Sequence, residues 1–223
     1  MDLIDVKQIK INGSEIAEVH FNNSKIWEKP PEYTRLEYIE STGTQFINTG
    51  VCPTSATNID IDFAYVEGAV SKWIPIYGRR GNTKSTYFCL FIGQNNLKLT
   101  PNYGEFDPGN ASNLIIPKGT KFNIRTDAGN LYYNGKLNTS CSTTSYTITN
   151  STSPVYLFDL NPRMSRNTQM RLYECKFYEN SVLIRDFIPV LDGNNVPCLY
   201  EKVNRTFYYN LGTGTFTYGL KGA

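Results

Sequence analysis

A chain of 223 residues with 16 Tyr, 12 Phe and one His carries 22 Lys and Arg against 20 Asp and Glu, a net charge of +2. So even a balance excludes a nucleic-acid footprint, which needs Lys and Arg massed on one face. The single imidazole, His20, excludes most zinc sites and most Ser-His or Cys-His catalytic groupings.

Residues 1–29 read as a small separate β unit. VKQIKING is a strand ending in an Asn12-Gly13 turn, and EIAEVHFNNSKIWE gives short strands around Asn22-Asn23. So few strands are not stable alone. The unit is therefore expected to dock on the main domain or on another chain. Pro30-Pro31 makes residues 30–32 a stiff, extended joint.

From residue 33 to 223 short strands follow one another with turns between them. LEYIES, QFINTGV, NIDIDFAYV, WIPIYG, STYFCLFIG, NLKLTP and KFNIRTD come first. NLYYNGKL, SYTIT, PVYLF, MRLYECKFYE, VLIRDFIPVL and a closing set of hairpins complete the series. In NIDIDFAYV, Ile59, Ile61, Phe63 and Tyr65 fall on one face, and Asp60 and Asp62 on the other. Asn134-Gly135 marks a hairpin, and 192–195 a further turn. Strands at 8–12-residue spacing predict an all-β, two-sheet antiparallel sandwich or barrel. The stretches 100–115 and 160–169 are read as its long loops, where specificity usually sits. Pro189 is expected to end its strand or lie on an edge. Asn210, Gly212 and Gly214 supply a tight turn.

The cysteines, Cys52, Cys89, Cys141, Cys175 and Cys198, are odd in number, far apart and without a CxxC pair. This fits reduced, mostly buried thiols of a protein assembled in a cytosol, although spacing leaves a single bridge open. The opening MDLIDVKQIKING has no apolar signal core, and no window approaches the ~18 apolar residues of a membrane span. No membrane insertion is expected.

Two blocks carry a likeness. LEYIESTGTQFINTGV at 36–51 resembles the opening strands of concanavalin A-like, laminin-G-like jelly rolls of bacteriophage and prophage virion structural proteins. MRLYECKFYENSVLIRDFIPVLDGNNVPCLYEKVNRTFYYNLGTGTF at 170–216 resembles their closing strands, with "iY.ckiy.n..lvRDfiP" and "clYD.vn..fy.N.GtG.F" pieces. IPKGTKFNI at 116–124 and LYYNGKL at 131–137 fit the strands between. The likeness spans about residues 33–219, and Glu201 stands where the pattern has Asp. Residues 1–29 resemble N-terminal pieces of phage tail and virion proteins.

The resemblance implies a jelly-roll sandwich in a non-enzymatic virion protein, a capsid or tail appendage assembled in the bacterial cytoplasm. Residues 1–29 would hold it to other virion proteins. It would bind a host-surface glycan or neighbouring subunits, and self-associate, as a trimer by likeness. A stand-alone carbohydrate-binding lectin is the alternative.

Sites are weighed within that frame. A glycan needs exposed rings with polar partners, and Trp73, Tyr77, Arg79, Tyr103 and Asp107 are the candidates. Arg79-Arg80 is read as an exposed turn. Folds of this class also host hydrolases with a Glu-x-Asp-x-x-Glu strand. Glu105 and Asp107 match its start, but Asn110 stands at the third position and Pro108-Gly109 breaks the strand. No cofactor is expected; Ca²⁺ near Asp60 and Asp62 is the one the fold class leaves open, against the simpler reading of a polar outward face.

Overall fold

The computed structural model describes residues 8–29, 31–67, 73–83, 86–93, 97–104, 114–127, 130–139, 148, 152–164 and 169–222. The chain divides into two compact units, Met1–Tyr33 and Thr34–Ala223. The described elements are strands with antiparallel pairing, so the protein is all-β. Among the described residues no helix is long and apolar enough to cross a membrane.

The first unit holds two hairpins, β1 (Ile9–Ile11) with β2 (Ser14–Ile16) and β3 (Glu18–Phe21) with β4 (Ser24–Glu28). Asn12, Gly13, Asn22 and Asn23 all have positive φ. Two such residues in sequence make the type I′ turn that matches strand twist. None of this unit's residues whose side chains are described is buried. Phe21 is 65% exposed.

The second unit begins with β5 (Thr34–Glu40), β6 (Ile47–Asn48), β7 (Thr57–Glu67), β8 (Ile74–Arg79), β9 (Phe88–Ile92) and β10 (Leu99–Tyr103). It continues with β11 (Phe122–Asp127), β12 (Asn130–Tyr133), β13 (Lys136–Thr139), β14 (Tyr156–Leu157) and β15 (Gln169–Glu179). It closes with β16 (Val182–Leu191), β17 (Pro197–Glu201), β18 (Thr206–Tyr208) and β19 (Thr217–Leu220). The larger sheet runs β13-β12-β11-β7-β15-β5-β16-β17-β18, with β19 on β5. The smaller runs β10-β9-β8-β14-β6.

One apolar cluster draws on both sheets. Ile59, Ile61, Phe63 and Tyr65 of β7 join Phe177 of β15 on one side and Ile76, Phe88 and Leu90 on the other. Each such buried side chain contributes about 1.5–3 kcal/mol. Phe63 meets Phe122 edge-on at 4.6 Å. In β15 the inward residues are Met170 and Leu172, then Cys175 and Phe177. The shift of phase comes from an irregularity between Leu172 and Glu174, where Tyr173 is the extra residue. Such a bulge turns Glu174 outward.

The smaller sheet is buried on both faces because residues 158–164 cover its other side. Leu160 packs there on Cys89 and Phe91, with Met164 alongside. A Cβ at Gly78 would lie 2.2 Å from that of Cys89, so only glycine fits.

The blocks 36–51 and 170–216 lie in the same unit and are bonded to each other. Asn210 Oδ1 accepts Phe46 N–H at 3.2 Å, and Leu211 N–H donates to Phe46 O at 2.9 Å. Buried Gln45 donates from Nε2 to Thr215 O at 3.3 Å.

Three expectations need correction. Pro189 lies inside β16, which continues to Leu191. The Lys202 N–H to Asp186 O bond fixes the ladder phase, so that Pro189 N points away from β17. On that side pairing with β15 ends at Phe187 and pairing with β5 begins at Val190. The missing donor thus falls where the strand changes partner. Second, residues 100–103 are strand rather than loop, since β10 reaches Tyr103 and pairs with β9. Third, in 160–169 the described part packs instead of projecting. Asp159 anchors it, accepting Met164 N–H at 3.0 Å and Arg163 Nε at 3.0 Å. Apart from Ile148, SYTIT lies outside the described residues.

Candidate functional site

Residues directly opposite on adjacent strands share a face and interact. On the face of the larger sheet turned away from the core, Arg125 of β11 is opposite Asp60 of β7, and Asp60 is opposite Lys176 of β15. Lys176 is in turn opposite Asp186 of β16, whose Oδ2 accepts Lys202 Nζ at 2.7 Å. Charge alternates along this row. The adjacent row sets Asn123, Asp62 and Glu174 side by side.

The rows are tied together. Asn123 Nδ2 donates to Asp60 Oδ1 at 2.5 Å and to Asp62 Oδ1 at 2.8 Å. Lys121 Nζ lies 3.0 Å from Asp62 Oδ2, and Lys176 Nζ 2.9 Å from Glu174 Oε1. Burial opposes the Lys176 ammonium, but the Glu174 hydrogen bond and the charges of Glu174 and Asp186 win, so its pKa is raised. Arg125 lies over the Tyr132 ring at 4.5 Å, and Lys121 over Tyr173 at 4.6 Å.

Three adjoining hollows follow these rows. One of about 240 Å³ is lined by Asn58, Asp60, Arg125, Asp127 and Tyr178, among others. A second, about 110 Å³, shares Asp60 and adds Asp62, Asn123, Glu174 and Lys176. A third, about 200 Å³, shares Asp62 and Glu174 and reaches Arg35, Lys121 and Tyr173. Shared walls make them one open groove. Side chains held by each other's hydrogen bonds lose little freedom when a ligand arrives. No family model matches the sequence, and no curated protein matches it.

Of the residues singled out for a glycan, Trp73, Tyr77, Arg79 and Tyr103 fall elsewhere. Tyr77 and Tyr103 have no exposed surface, and their hydroxyls hydrogen-bond each other in the core. As placed, their rings cannot stack on a sugar, which corrects that reading. Arg79 is not in an exposed turn: it ends β8 at 8% exposure, and its Nη1 donates to Thr86 O. Burial pulls its pKa down, and its Nε has no partner. Trp73 is 38% exposed and meets Phe91 edge-on at 6.1 Å. Glu105 and Asp107 lie outside the described residues.

Asp60 and Asp62 do sit together on the outward face, yet the oxygens they turn to each other hold an amide N–H₂ rather than a cation cradle. Among the described residues no three His, Cys, Asp or Glu side chains gather as a metal site. Asn58, Asn123, Arg125, Glu174, Lys176 and Tyr178 were not anticipated. Their signal was present: the outward positions of NIDID, FNIRTD and ECKFY are polar on three strands. What was missing was the strand order that sets them side by side.

Proposed function

We propose that this protein is a non-enzymatic binding module of a bacteriophage particle, a capsid or tail appendage, whose larger unit is a concanavalin A-like, laminin-G-like jelly-roll sandwich. Two antiparallel sheets contributing to one core support the sandwich. The direct bonding of the two phage-like blocks supports the kinship. The observation that carries binding is the groove of ordered polar side chains on the outward face. Its partner is a host-surface glycan or a neighbouring subunit. Residues 1–29, which expose Ile11, Phe21 and Ile26, attach the module to other virion proteins or to further copies of itself, as a trimer by likeness.

The test is retention of the full chain on host cell envelopes, beside an Arg125→Ala, Tyr178→Ala double variant, with light scattering for association state. Retention of the unaltered chain and its loss in the variant are expected. Equal retention of both, or of neither, with a monomer in solution, sinks the reading.

A further inference from the structure

We infer that the outward groove takes a linear, uncharged oligosaccharide laid along β7. This rests on the binding reading above and narrows it to one ligand class. Shape comes first. Asn58 and Asp62 are four residues apart, about 13 Å at strand rise, and the Arg35–Tyr173 hollow lengthens the run. No single hollow reaches the ~300 Å³ of a small-molecule pocket. An elongated trough suits an extended chain of small units better than one compact molecule.

The lining then selects the chemistry. Carboxylates, amides and cations alternate within hydrogen-bond reach of one another. A ligand crossing them must donate and accept at closely spaced points, which is what hydroxyl groups do. Tyr178 at one end supplies a ring against which a sugar C–H face lies.

Charge decides between glycans. In the two hollows that share Asp60 carboxylates outnumber cations by four to two, and the third adds Arg35, Lys121 and Lys221 against Glu37, so the groove as a whole is balanced. Sulfated, phosphorylated or uronic-acid-rich chains find no net positive charge there to hold them, whereas a neutral chain needs none. A peptide is disfavoured for another reason. Extended peptides add to a sheet through the ladder groups of an edge strand, whereas β7 and β15 are each paired on both sides.

The experiment is a glycan array holding neutral and acidic oligosaccharides, with Lys-rich peptides as controls. It is probed with the full chain, with Asp62→Asn and with Tyr178→Ala, each checked for an unchanged melting temperature. Signals confined to neutral linear oligosaccharides, lowered tenfold or more by both variants, are expected. Preference for acidic glycans or for basic peptides overturns the inference, as do neutral signals that Asp62→Asn leaves intact. In those cases a binding module remains and only the ligand class or the groove falls. A silent array, with retention on envelopes preserved, overturns the inference and leaves an envelope component of another class as the ligand.

Discussion

Glu201 Oε1 accepts the backbone N–H of Asp186 at 2.9 Å, from a side chain with no exposed surface. The same carboxylate accepts Val203 N–H and Asn204 N–H, both at 2.8 Å. One side chain therefore ties β16 to β17 and closes the turn at 202–205. Glu201→Ala leaves three donors to find water or nothing, at about 1–3 kcal/mol for each one that stays buried. The expected loss is about 2–4 kcal/mol by urea unfolding. Glu201→Asp, shorter by one methylene, loses about half as much. An alanine variant within about 0.5 kcal/mol of the unaltered chain refutes this role.

Gly212 sits where the closing block crosses the opening one. A Cβ there would lie 2.0 Å from Thr44 O, a backbone atom that cannot step aside without disturbing the bonds of Phe46 to Asn210 and Leu211. Gly212→Ala is expected to cost about 3 kcal/mol or more, in the range of overpacking. Gly193, where a Cβ meets nothing within 4 Å, is the control. Gly193→Ala should stay within about 0.5 kcal/mol. Similar melting temperatures for the two variants contradict the close crossing.

These two positions show what the sequence made legible. Period-two alternation is clear in β7 and β11, because one face of each is buried and the other is not. Asn-Gly and Asn-Asn pairs located three hairpins, since positive φ leaves a chemical mark. The fourth such turn, Asn180-Ser181, escaped because serine carries no such mark. In WIPIYG and YFCLFI no alternation exists, as β8 and β9 are buried on both faces, so Tyr77 looked like an available ring; Tyr103 did because 100–115 read as a loop, whereas it ends β10. The groove was illegible for a different reason. It arises from pairing β11, β7 and β15, which lie over a hundred residues apart at the extremes, and register is not written locally.

Lys176 stands between Asp60 and Asp186 and bonds Glu174. Lys176→Met keeps the stem that covers the sheet but leaves three carboxylates without their shared cation. Repulsion among half-buried like charges should cost about 1 kcal/mol at low ionic strength. Because salt screens it, the deficit should shrink in 1 M NaCl, where the Debye length is ~3 Å. Urea midpoints of both chains at low and high salt check this. A deficit that salt leaves unchanged points to packing instead.

Thiol reactivity should divide sharply. Cys52 is exposed, while Cys89, Cys175 and Cys198 are buried. In a Cys141→Ser chain, one thiol should react rapidly with a chromogenic disulfide, and Cys52→Ser should abolish that phase. The other three should react only as the protein unfolds. Two fast thiols in the folded chain would contradict the burial of the cores.

Stability should fall on the alkaline side, and the sign follows from the same burial. Desolvation pushes the Cys198 thiol from its ordinary value near 9 up to about 12, and pushes Cys175 up as well. Burial, then the hydrogen bond to Asp192 Oδ2 at 2.9 Å, moves Tyr209 from 10 to about 12. Each group holds its proton longer when folded than when unfolded. Below pH ~8 both states are protonated, and the full stability is present. As pH rises past the unfolded values the unfolded chain ionises first, so stability drops through the window from about 9 to 12. Tyr209 is 42% exposed and its share is screened by water, which leaves the buried thiols as the main source. Urea midpoints should be level between pH 7 and 8 and decline by pH 10.5. Cys198→Ala should flatten the decline, because the alanine chain has no proton to lose there. A midpoint in the unaltered chain that holds steady to pH 10.5 would show that these thiols are not desolvated.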